Sequence, residues 1–266
     1  MNAPLTPSGA AASSILDALG HGPADRRLAI LREIGAGGSI SQAARSVGVS
    51  YKAAWQALDT LTNLAGVSLV ERVVGGVGGG GARLTQAGIE LLAAAQALHS
   101  ARAQLARQLQ PSAQAEAAQR LWLQTSMRNQ WPCQVLALQI SGPLVRVQLR
   151  AGSGPAAAAP AAPLLWSRIT RESSELLGLR EGLAVQALCK ATAVRVQPAL
   201  AGPLPDNHWP GQALRVARGA LGDEVAAQWA GSGLQMVGFA PAGSGLRARS
   251  RLCLSLDEAA LALALG

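Results

Sequence analysis

The run Ser126-Met127-Arg128, followed by NQWPCQ at residues 129–134, decides how the chain is organised. It places a hydroxyl, a guanidinium and an amide close together. Such donors suit a small oxyanion, whose oxygen atoms only accept hydrogen bonds. The second part of the run returns as NHWPGQ at residues 207–212. Two copies of an uncommon pattern predict a duplicated module, with the donor cluster at the start of the first copy.

The composition is that of a basic, globular protein. The 266 residues are 49% hydrophobic, which is enough for two or three packed units, and the charged fraction of 14% argues against a disordered chain. The formal net charge of +8 favours nucleic acid or an acidic surface as partner, although a generally basic proteome would also explain it. No segment resembles a signal peptide or reaches membrane-spanning length, so a cytoplasmic protein without a membrane partner is expected.

The cysteines and histidines are too scattered for a metal site. Cys133, Cys189 and Cys253 are odd in number and far apart, which fits buried thiols in a reducing compartment better than a disulfide framework. The histidines are equally dispersed, so no metal is expected. No nucleophile–base pair and no pair of acids has the spacing of a catalytic site, and an enzyme is therefore not expected.

A helix-turn-helix is predicted between residues 39 and 61. Ser39 or Ser41 can cap a short helix, Gly48 supplies a tight turn, and Ser50 caps a second helix with apolar residues at helical spacing. The second helix would enter the major groove of DNA, and the start of the first would contact phosphates. An ordinary helical hairpin is the alternative. The residues assigned to DNA contact are Ser39, Ser41, Gln42, Ser50, Tyr51, Lys52 and Gln56.

The next segment predicts a winged β-hairpin. Two strands are expected at residues 69–73 and 82–85, and the glycine-rich tip at 75–81 suits a wing beside DNA, where Arg72 and Arg83 could meet phosphates. A phosphate-binding P-loop is the rival interpretation of these glycines, but no Gly-Lys-Ser/Thr follows them. A long helix to about residue 110 follows. Its apolar stripe could pair with its twin in a dimer or pack on its own domain.

After residue 121 the hydrophobic period changes from helical to alternating. Five strands are predicted at residues 121–125, 135–140, 145–149, 165–169 and 183–189. A short helix capped by Thr170 completes the pattern, which indicates an OB-like barrel. A second copy begins near Asn207 and stops at Gly266, in register with about Gly182 of the first. Its final strand and any counterpart of Lys190 are therefore expected to be missing.

From about residue 24 to its end, the chain resembles the ModE-type molybdate-responsive transcription regulators. The resemblance rests on SYKAAW at 50–55, on LVER at 69–72 with the glycine-rich wing, and on TSMRNQW at 125–131. The last motif is the most specific, because the helix-turn-helix would also suit LysR-type regulators. An α+β fold is implied, with an N-terminal winged helix-turn-helix, a long dimerisation helix and C-terminal tandem OB-like β-barrels (Mop/TOBE modules).

Composition, periodicity and the resemblance together predict the domain boundaries. They are a flexible arm at 1–22, the winged helix-turn-helix with its dimerisation helix at 23–110, a linker at 111–120, a first module at 121–195 and a truncated second module at 205–266.

The function that the resemblance implies is that of a homodimer. It would bind molybdate between subunits, bind double-stranded DNA and control molybdate-uptake and molybdoenzyme genes, with repression among its expected actions. The oxyanion site falls on Ser126, Met127 and Arg128 of one subunit and on Thr170, Ser173 and Lys190 of the other. Met127 would contribute through its backbone. The second module lacks the Ser-x-Arg pair before its motif, so it is expected to serve as structure or dimer contact without ligand.

The chemistry of such a site agrees with molybdate. This tetrahedral dianion carries no proton at neutral pH, and a site made only of donors disfavours a protonated phosphate, whose O–H needs an acceptor. Sulfate has to be rejected by size, and tungstate, which is nearly as large as molybdate, should be accepted. Occupancy and dimer geometry should be linked, because two charges buried between subunits need compensation.

Other interpretations of the chain remain open at this point. One is a molybdate-storage or homeostasis protein that retains a vestigial DNA reader. Another is a LysR-type regulator of an organic effector, which would need a larger α/β domain than the duplicated barrel pattern provides. At the level of single residues, Arg128 and Lys190 could be ordinary surface charges.

Overall fold

The structure is a computed structural model that describes residues 26–73, 81–108, 125–152, 162–230 and 232–265. The chain divides into two compact units. Unit 1 holds the residues up to 123 together with the segment Glu172–Gly178, and unit 2 holds Gln124–Arg171 and Leu179–Leu265. The predicted arm, the predicted linker, the tip of the wing and residues 153–161, part of a segment rich in Ala and Pro, lie outside the described residues.

Unit 1 contains the predicted winged helix-turn-helix. Its elements are α1 (Arg26–Gly35), α2 (Ile40–Val47), α3 (Tyr51–Ala65), β1 (Val70–Val73), β2 (Gly81–Leu84) and the long helix α4 (Gln86–Gln108). Buried alanines such as Ala44, Ala53 and Ala57 let the helices approach closely around Ile30 and Ile34. The chain reverses between α2 and α3 at Gly48, whose φ of 71° would strain a side chain with a Cβ.

The second half of the chain is built from strands. They are β3 (Asn129–Ser141), β4 (Leu144–Ala151), β5 (Leu164–Thr170), β6 (Ala184–Cys189), β7 (Arg195–Pro198), β8 (His208–Ala217), β9 (Asp223–Trp229), β10 (Gln235–Ala240), β11 (Arg251–Ser255) and β12 (Ala262–Ala264). The short helix α5 (Arg171–Leu177) follows β5, as predicted. The strand predicted at 121–125 is not found in the described residues: 121–124 lie outside them, and Thr125 is not in a strand. Among the described residues, the first strand of this half begins at Asn129, at the start of the NQWPCQ motif.

The two modules exchange their last strands. The first module is a five-stranded sheet in the order β12-β6-β3-β4-β5, and the second is a closed barrel in the order β10-β7-β11-β8-β9. Strand β7, which follows the first module in sequence, therefore completes the second. Strand β12 at the end of the chain pairs with β6 of the first module, with Ala262 opposite Leu188. The expected truncation of the second module is wrong, because β11 lies beside β8 as β6 lies beside β3 and so provides the strand that was expected to be missing.

The duplication extends to irregular features of the backbone. A β-bulge interrupts the β3–β4 ladder between Val135 and Ala137, and another interrupts the β8–β9 ladder between Ala213 and Arg215. One hydrophobic core serves both modules, since Trp229 packs at 5.0 Å from Trp131 and 5.4 Å from Trp209, measured between ring centroids. The modules thus fold as one unit with a shared core, not as two independent domains.

The repeated Asn-x-Trp pattern fastens each module to the other. The amide of Asn129 both donates to the carbonyl and accepts from the N–H of Val237, at 2.8 Å each. Asn207 makes the same pair of bonds with Trp166, at 2.7 Å each. The indole of Trp131 donates to the carbonyl of Gln235, two residues before Val237 on β10. The indole of Trp209 likewise donates to the carbonyl of Leu164, two residues before Trp166 on β5. The repeated motif that indicates duplication therefore also links the modules: each Asn and Trp bonds to the backbone of the other module, an arrangement that we call the clasp.

Candidate functional site

The predicted donor cluster lies just before β3, at what we call the first-module end: residues 126–128 together with Lys190. The N–H of Met127 donates to Thr125 Oγ1 at 2.8 Å, and Gln130 donates to the carbonyl of Met127 at 3.0 Å, so the segment is held as a tight turn. Ser126 and Arg128 are exposed there. Arg128 Nη1 lies 2.5 Å from Glu224 Oε2 on β9, and the guanidinium keeps 48% of its side chain exposed.

The strand register brings Lys190 to the same end of the first module as Arg128. Asn129 is paired with Cys189 at the last position of the β3–β6 ladder, so the next residues outward are Arg128 and Lys190. Lys190 is exposed at the start of a 3₁₀ helix, Ala191–Ala193. Two cations therefore stand at one ladder end within a single chain. This placement differs from the expected grouping, in which Lys190 accompanied Thr170 and Ser173.

Thr170 lies at the opposite end of the module. Thr170 is paired with Leu144, directly after the β3–β4 hairpin, and Ser173 follows on α5. The whole of β3, thirteen residues and roughly 40 Å of strand path, separates this end from Arg128. One chain does not bring the six predicted ligand residues together.

A second set of charged residues occupies the matching position of the other module. Asp257 precedes the 3₁₀ helix Glu258–Ala260 as Lys190 precedes Ala191–Ala193, and Asp206 precedes Asn207 as Arg128 precedes Asn129. The expectation that Lys190 has no counterpart is therefore wrong. We call Asp206, Asp257 and Glu258, with Arg146 and Arg168, the second-module end; they line a cavity of about 420 Å³.

The acids of the second-module end form ion pairs with arginines of the same chain. Arg146 Nε donates to Glu258 Oε2 at 2.9 Å, and Arg146 Nη2 lies 3.3 Å from Asp206 Oδ2. The guanidinium also lies 4.4 Å from the centroid of the Trp166 ring. The hydrogen bonds to Glu258 raise the pKa of Arg146 above its ordinary value. Arg168 adds a longer contact with Asp257, at 3.5 Å.

A weak signal for this match is present in the sequence. Val194 and Val196 alternate after Lys190, and Leu261 and Leu263 alternate after Asp257. Aligning these pairs places the two short strands, and with them the lysine and the aspartate, in register. The signal is weak because each strand is only three or four residues long.

The start of the recognition helix α3 presents the residues predicted for DNA contact. Ser50 caps α3 by accepting from the N–H of Ala53 at 3.2 Å, and Ser39 caps α2 by accepting from Gln42 at 3.2 Å. Tyr51 is 54% exposed and packs edge-on against Trp55. Lys52 is exposed and, within unit 1, lies 2.8 Å from Glu172 Oε1.

The other predicted DNA contacts are on the surface or on the hairpin. Ser41 and Gln42 are exposed, and Gln56 is half-buried on α3. Arg72 lies on β1 opposite Ala82. Arg83 is exposed on β2, with its Nε 2.6 Å from Glu71 Oε1. Unit 1 therefore offers polar side chains at both helix starts and on the hairpin.

The three cysteines are free and buried, as expected. Burial raises the pKa of Cys133 to about 12 and that of Cys189 to about 11, so both thiols stay protonated and unreactive at neutral pH. No cluster of His, Cys, Asp and Glu that could hold a metal ion is found among the described residues. None of the described helices is long and apolar enough to span a membrane.

Comparison with known proteins follows the two halves of the chain. Residues 26–89 match the model for the lysR family of bacterial regulatory helix-turn-helix proteins, and residues 125–196 match the TOBE domain model. The DNA-binding transcriptional dual regulator ModE of Escherichia coli (strain K12) is 35% identical over 211 residues, covering 75% of this chain and 76% of ModE. This chain belongs to the ModE family.

Two further relatives are also similar to this chain. The molybdenum transport protein ModE of Azotobacter vinelandii is 35% identical over 219 residues, which are 78% of each chain. The molybdenum-pterin-binding protein MopB of Rhodobacter capsulatus is 37% identical over 183 residues, covering 68% of this chain and 65% of MopB. The match thus spans just under two thirds of MopB. The predicted family and the predicted α+β architecture are confirmed, and the lysR-type match stops at the winged helix-turn-helix, so a LysR-type effector domain is not supported.

Proposed function

We propose that this ModE-family chain is a molybdate-sensing, DNA-binding transcriptional regulator. It acts as a homodimer in the cytoplasm and controls molybdate-transport and molybdoenzyme genes. The observation that carries the proposal is the cationic first-module end, where Arg128 and Lys190 share one ladder end beside the exposed Ser126 hydroxyl, in a chain that also holds a helix-turn-helix. Its relatives are named as regulators and molybdenum-binding proteins, not as enzymes.

The chemistry of the first-module end supports a fully deprotonated oxyanion. Ser126 supplies a hydroxyl, Arg128 a fork of N–H donors and Lys190 an ammonium, and each of these can donate to molybdate. Tungstate has the same charge and nearly the same size, and it is accepted too. The second-module end offers acids at the matching positions, so we place no ligand there. The expected stoichiometry is one molybdate per chain.

A second copy of the chain supplies the rest of the site. Thr170 stands a full strand length from Arg128, so its hydroxyl reaches the same ligand only from another subunit. Ligand bound in this way contacts both subunits and stabilises one dimer geometry over others. DNA affinity then depends on molybdate, and by linkage molybdate affinity depends on DNA.

The rival function is molybdate storage or homeostasis with a vestigial reader. MopB, to which the chain is similar, is named for binding molybdenum-pterin, and this is the reason to test the alternative. The capped α2 and α3 with exposed polar residues at their starts favour the regulator. A storage protein would bind molybdate without binding any DNA sequence specifically.

The decisive experiment combines two titrations on the purified full-length chain. Calorimetry with molybdate, tungstate, sulfate and phosphate should show tight binding of the first two only, near one per chain. Arg128→Ala should weaken molybdate binding by about 10- to 100-fold, since a hydrogen bond to a charged group contributes roughly 1.5–3 kcal/mol. The matched control is Asp206→Ala, at the equivalent position of the second module, which should leave the affinity within about twofold.

The second titration measures binding to promoter DNA with and without molybdate. Affinity should rise with molybdate and fall steeply with salt, because phosphate contacts release counterions. Equal DNA affinity in both conditions would remove sensing from the proposal. Molybdate binding without any sequence-specific DNA binding would favour the storage protein. Failure of the wild-type chain to bind molybdate would contradict both functions.

A further inference from the structure

We infer that Glu224 is the chain's own counter-ion for Arg128 and sets the affinity and charge selectivity of the oxyanion site by competing with the ligand. The inference rests on the proposed function and adds a residue that lies outside the predicted ligand set. Glu224 is on β9 of the second module, and its carboxylate reaches across to the first-module end.

The geometry makes Glu224 a substitute for the ligand. Its Oε2 lies 2.5 Å from Arg128 Nη1, and its Oε1 lies 3.5 Å from Arg215 Nη2. A carboxylate, like molybdate, only accepts hydrogen bonds, so both seek the same guanidinium donors. The side chain is 24% exposed, so it can turn away from Arg128 into water. A dianion at the same guanidinium would repel the carboxylate and favour that movement.

The second module contains the same crossing ion pair with its signs reversed. There Asp206 occupies the position of Arg128, and Arg146 on β4 crosses to it as Glu224 on β9 crosses to Arg128. Both copies thus join their modules by an ion pair at this place. Each module has a pair at this place, but the cation is on a different partner in each.

The two pairs differ in how firmly the cation is held. Arg146 is bound by Glu258 as well as Asp206 and stacks on Trp166. Within the described part of the chain, Glu224 is the one carboxylate that Arg128 contacts. Arg128 can therefore exchange a single partner for a ligand, whereas Arg146 would have to give up three contacts. This difference leaves the first-module end available for binding.

Competition by a single carboxylate filters ligands by charge. A monoanion offers Arg128 about what Glu224 already offers, so it gains little by displacing it. A dianion such as molybdate attracts Arg128 and Lys190 more strongly and displaces Glu224. Molybdate and sulfate carry the same charge, so the size of the site has to separate them. Charge selectivity and size selectivity then come from different features of the site.

The test is calorimetric titration of the full-length chain and of Glu224→Gln, which keeps the shape and removes the charge. The probes are molybdate and perrhenate, a tetrahedral monoanion of nearly the same size. Glu224→Gln should bind molybdate about tenfold more tightly, and it should bind perrhenate at concentrations where the wild-type chain does not. The matched control is Glu258→Gln, which removes an acid from the second-module end and should change molybdate affinity by less than about twofold.

The outcomes separate this inference from the proposed function. If the wild-type chain binds molybdate and Glu224→Gln binds it equally or more weakly, Glu224 is not a competitor, and the sensing function stands. If neither protein binds molybdate, both ideas fall. Glu224→Asp, which shortens the reach by one methylene, provides a second variant should the glutamine lower the unfolding temperature. It should raise molybdate affinity by a smaller factor than Glu224→Gln.

Discussion

At the end of the first module the chain places Arg128 and Lys190, and at the matching end of the second it places Asp206 and Asp257. The surrounding backbone is the same in both: an Asn and a Trp that clasp the other module, a β-bulge, and a 3₁₀ helix after the last long strand. Duplication thus repeated the framework, while the side chains at the two ends took opposite charges.

This difference shows that the shared framework does not determine the charge at these ends. At the first-module end Arg128 and Lys190 are cations, and Glu224, which pairs with Arg128, also contacts a third cation, Arg215. The second-module end has two arginines and three acids. An anion is attracted to the first and repelled by the second, although both lie on the same kind of loop.

The largest expected effect tests the shared framework. Asn129→Ala and Asn207→Ala each remove two hydrogen bonds to backbone groups, which should lower the free energy of unfolding by about 2–3 kcal/mol. Asn207 has a φ of 53°, a left-handed conformation that costs alanine roughly another 1 kcal/mol. Urea unfolding followed by tryptophan fluorescence should therefore show a larger loss for Asn207→Ala. Equal losses would mean that the two clasps are not matched in the way described.

A smaller effect tests the reversed charges. Arg146→Ala removes contacts with Glu258, Asp206 and Trp166 and should lower the free energy of unfolding by about 1–2 kcal/mol, after allowing for solvent screening. Arg128→Ala removes one partly exposed ion pair and should cost less than about 0.5 kcal/mol. Chemical unfolding of both variants measures the difference. A comparable loss for Arg128→Ala would make that arginine structural and weaken its assignment to ligand binding.

The smallest effect concerns one turn. Gly182 and Arg249 occupy matching turns, since their N–H groups donate to Val135 and Ala213 at the two bulges, and both have positive φ, 80° and 69°. Gly182→Ala should lower the free energy of unfolding by about 1 kcal/mol. Arg249→Gly should raise it by about 0.5 kcal/mol, because relief of strain exceeds the added entropy of the unfolded chain. Differential scanning calorimetry can follow both changes; destabilisation by Arg249→Gly would show that its side chain holds the turn.

Local signals in the sequence predicted the elements with short-range causes. Ser39, Gly48 and Ser50 mark helix caps and a turn, and all three act as predicted. The repeated NxWP pattern correctly indicated duplication. The strand predicted at 121–125 lies, apart from Thr125, outside the described residues and stays a prediction. Within the described residues the β3–β6 ladder begins with Asn129 opposite Cys189.

Long-range pairing produced the largest departure from prediction. Strands β7 and β12 have four and three residues, too few for a recognisable period, and each completes a sheet whose other strands lie far away in sequence. The expected truncation has another cause: the interval between β4 and β6 is longer than that between β9 and β11, so counting from the NxWP motifs does not bring β11 opposite β6. The partnership of Arg128 with Glu224 was hidden because 96 residues separate them.

By itself, the sequence determined the class of each half, the duplication and the chemistry of the donor cluster, because caps, periodicity and residue type act over a few neighbouring positions. Only the tertiary structure decided which strand completes which module, which end of the module Lys190 occupies, and which acid faces Arg128. These depend on the register between distant strands. A shift of one residue in such a register turns every side chain to the other face, and no short motif records it.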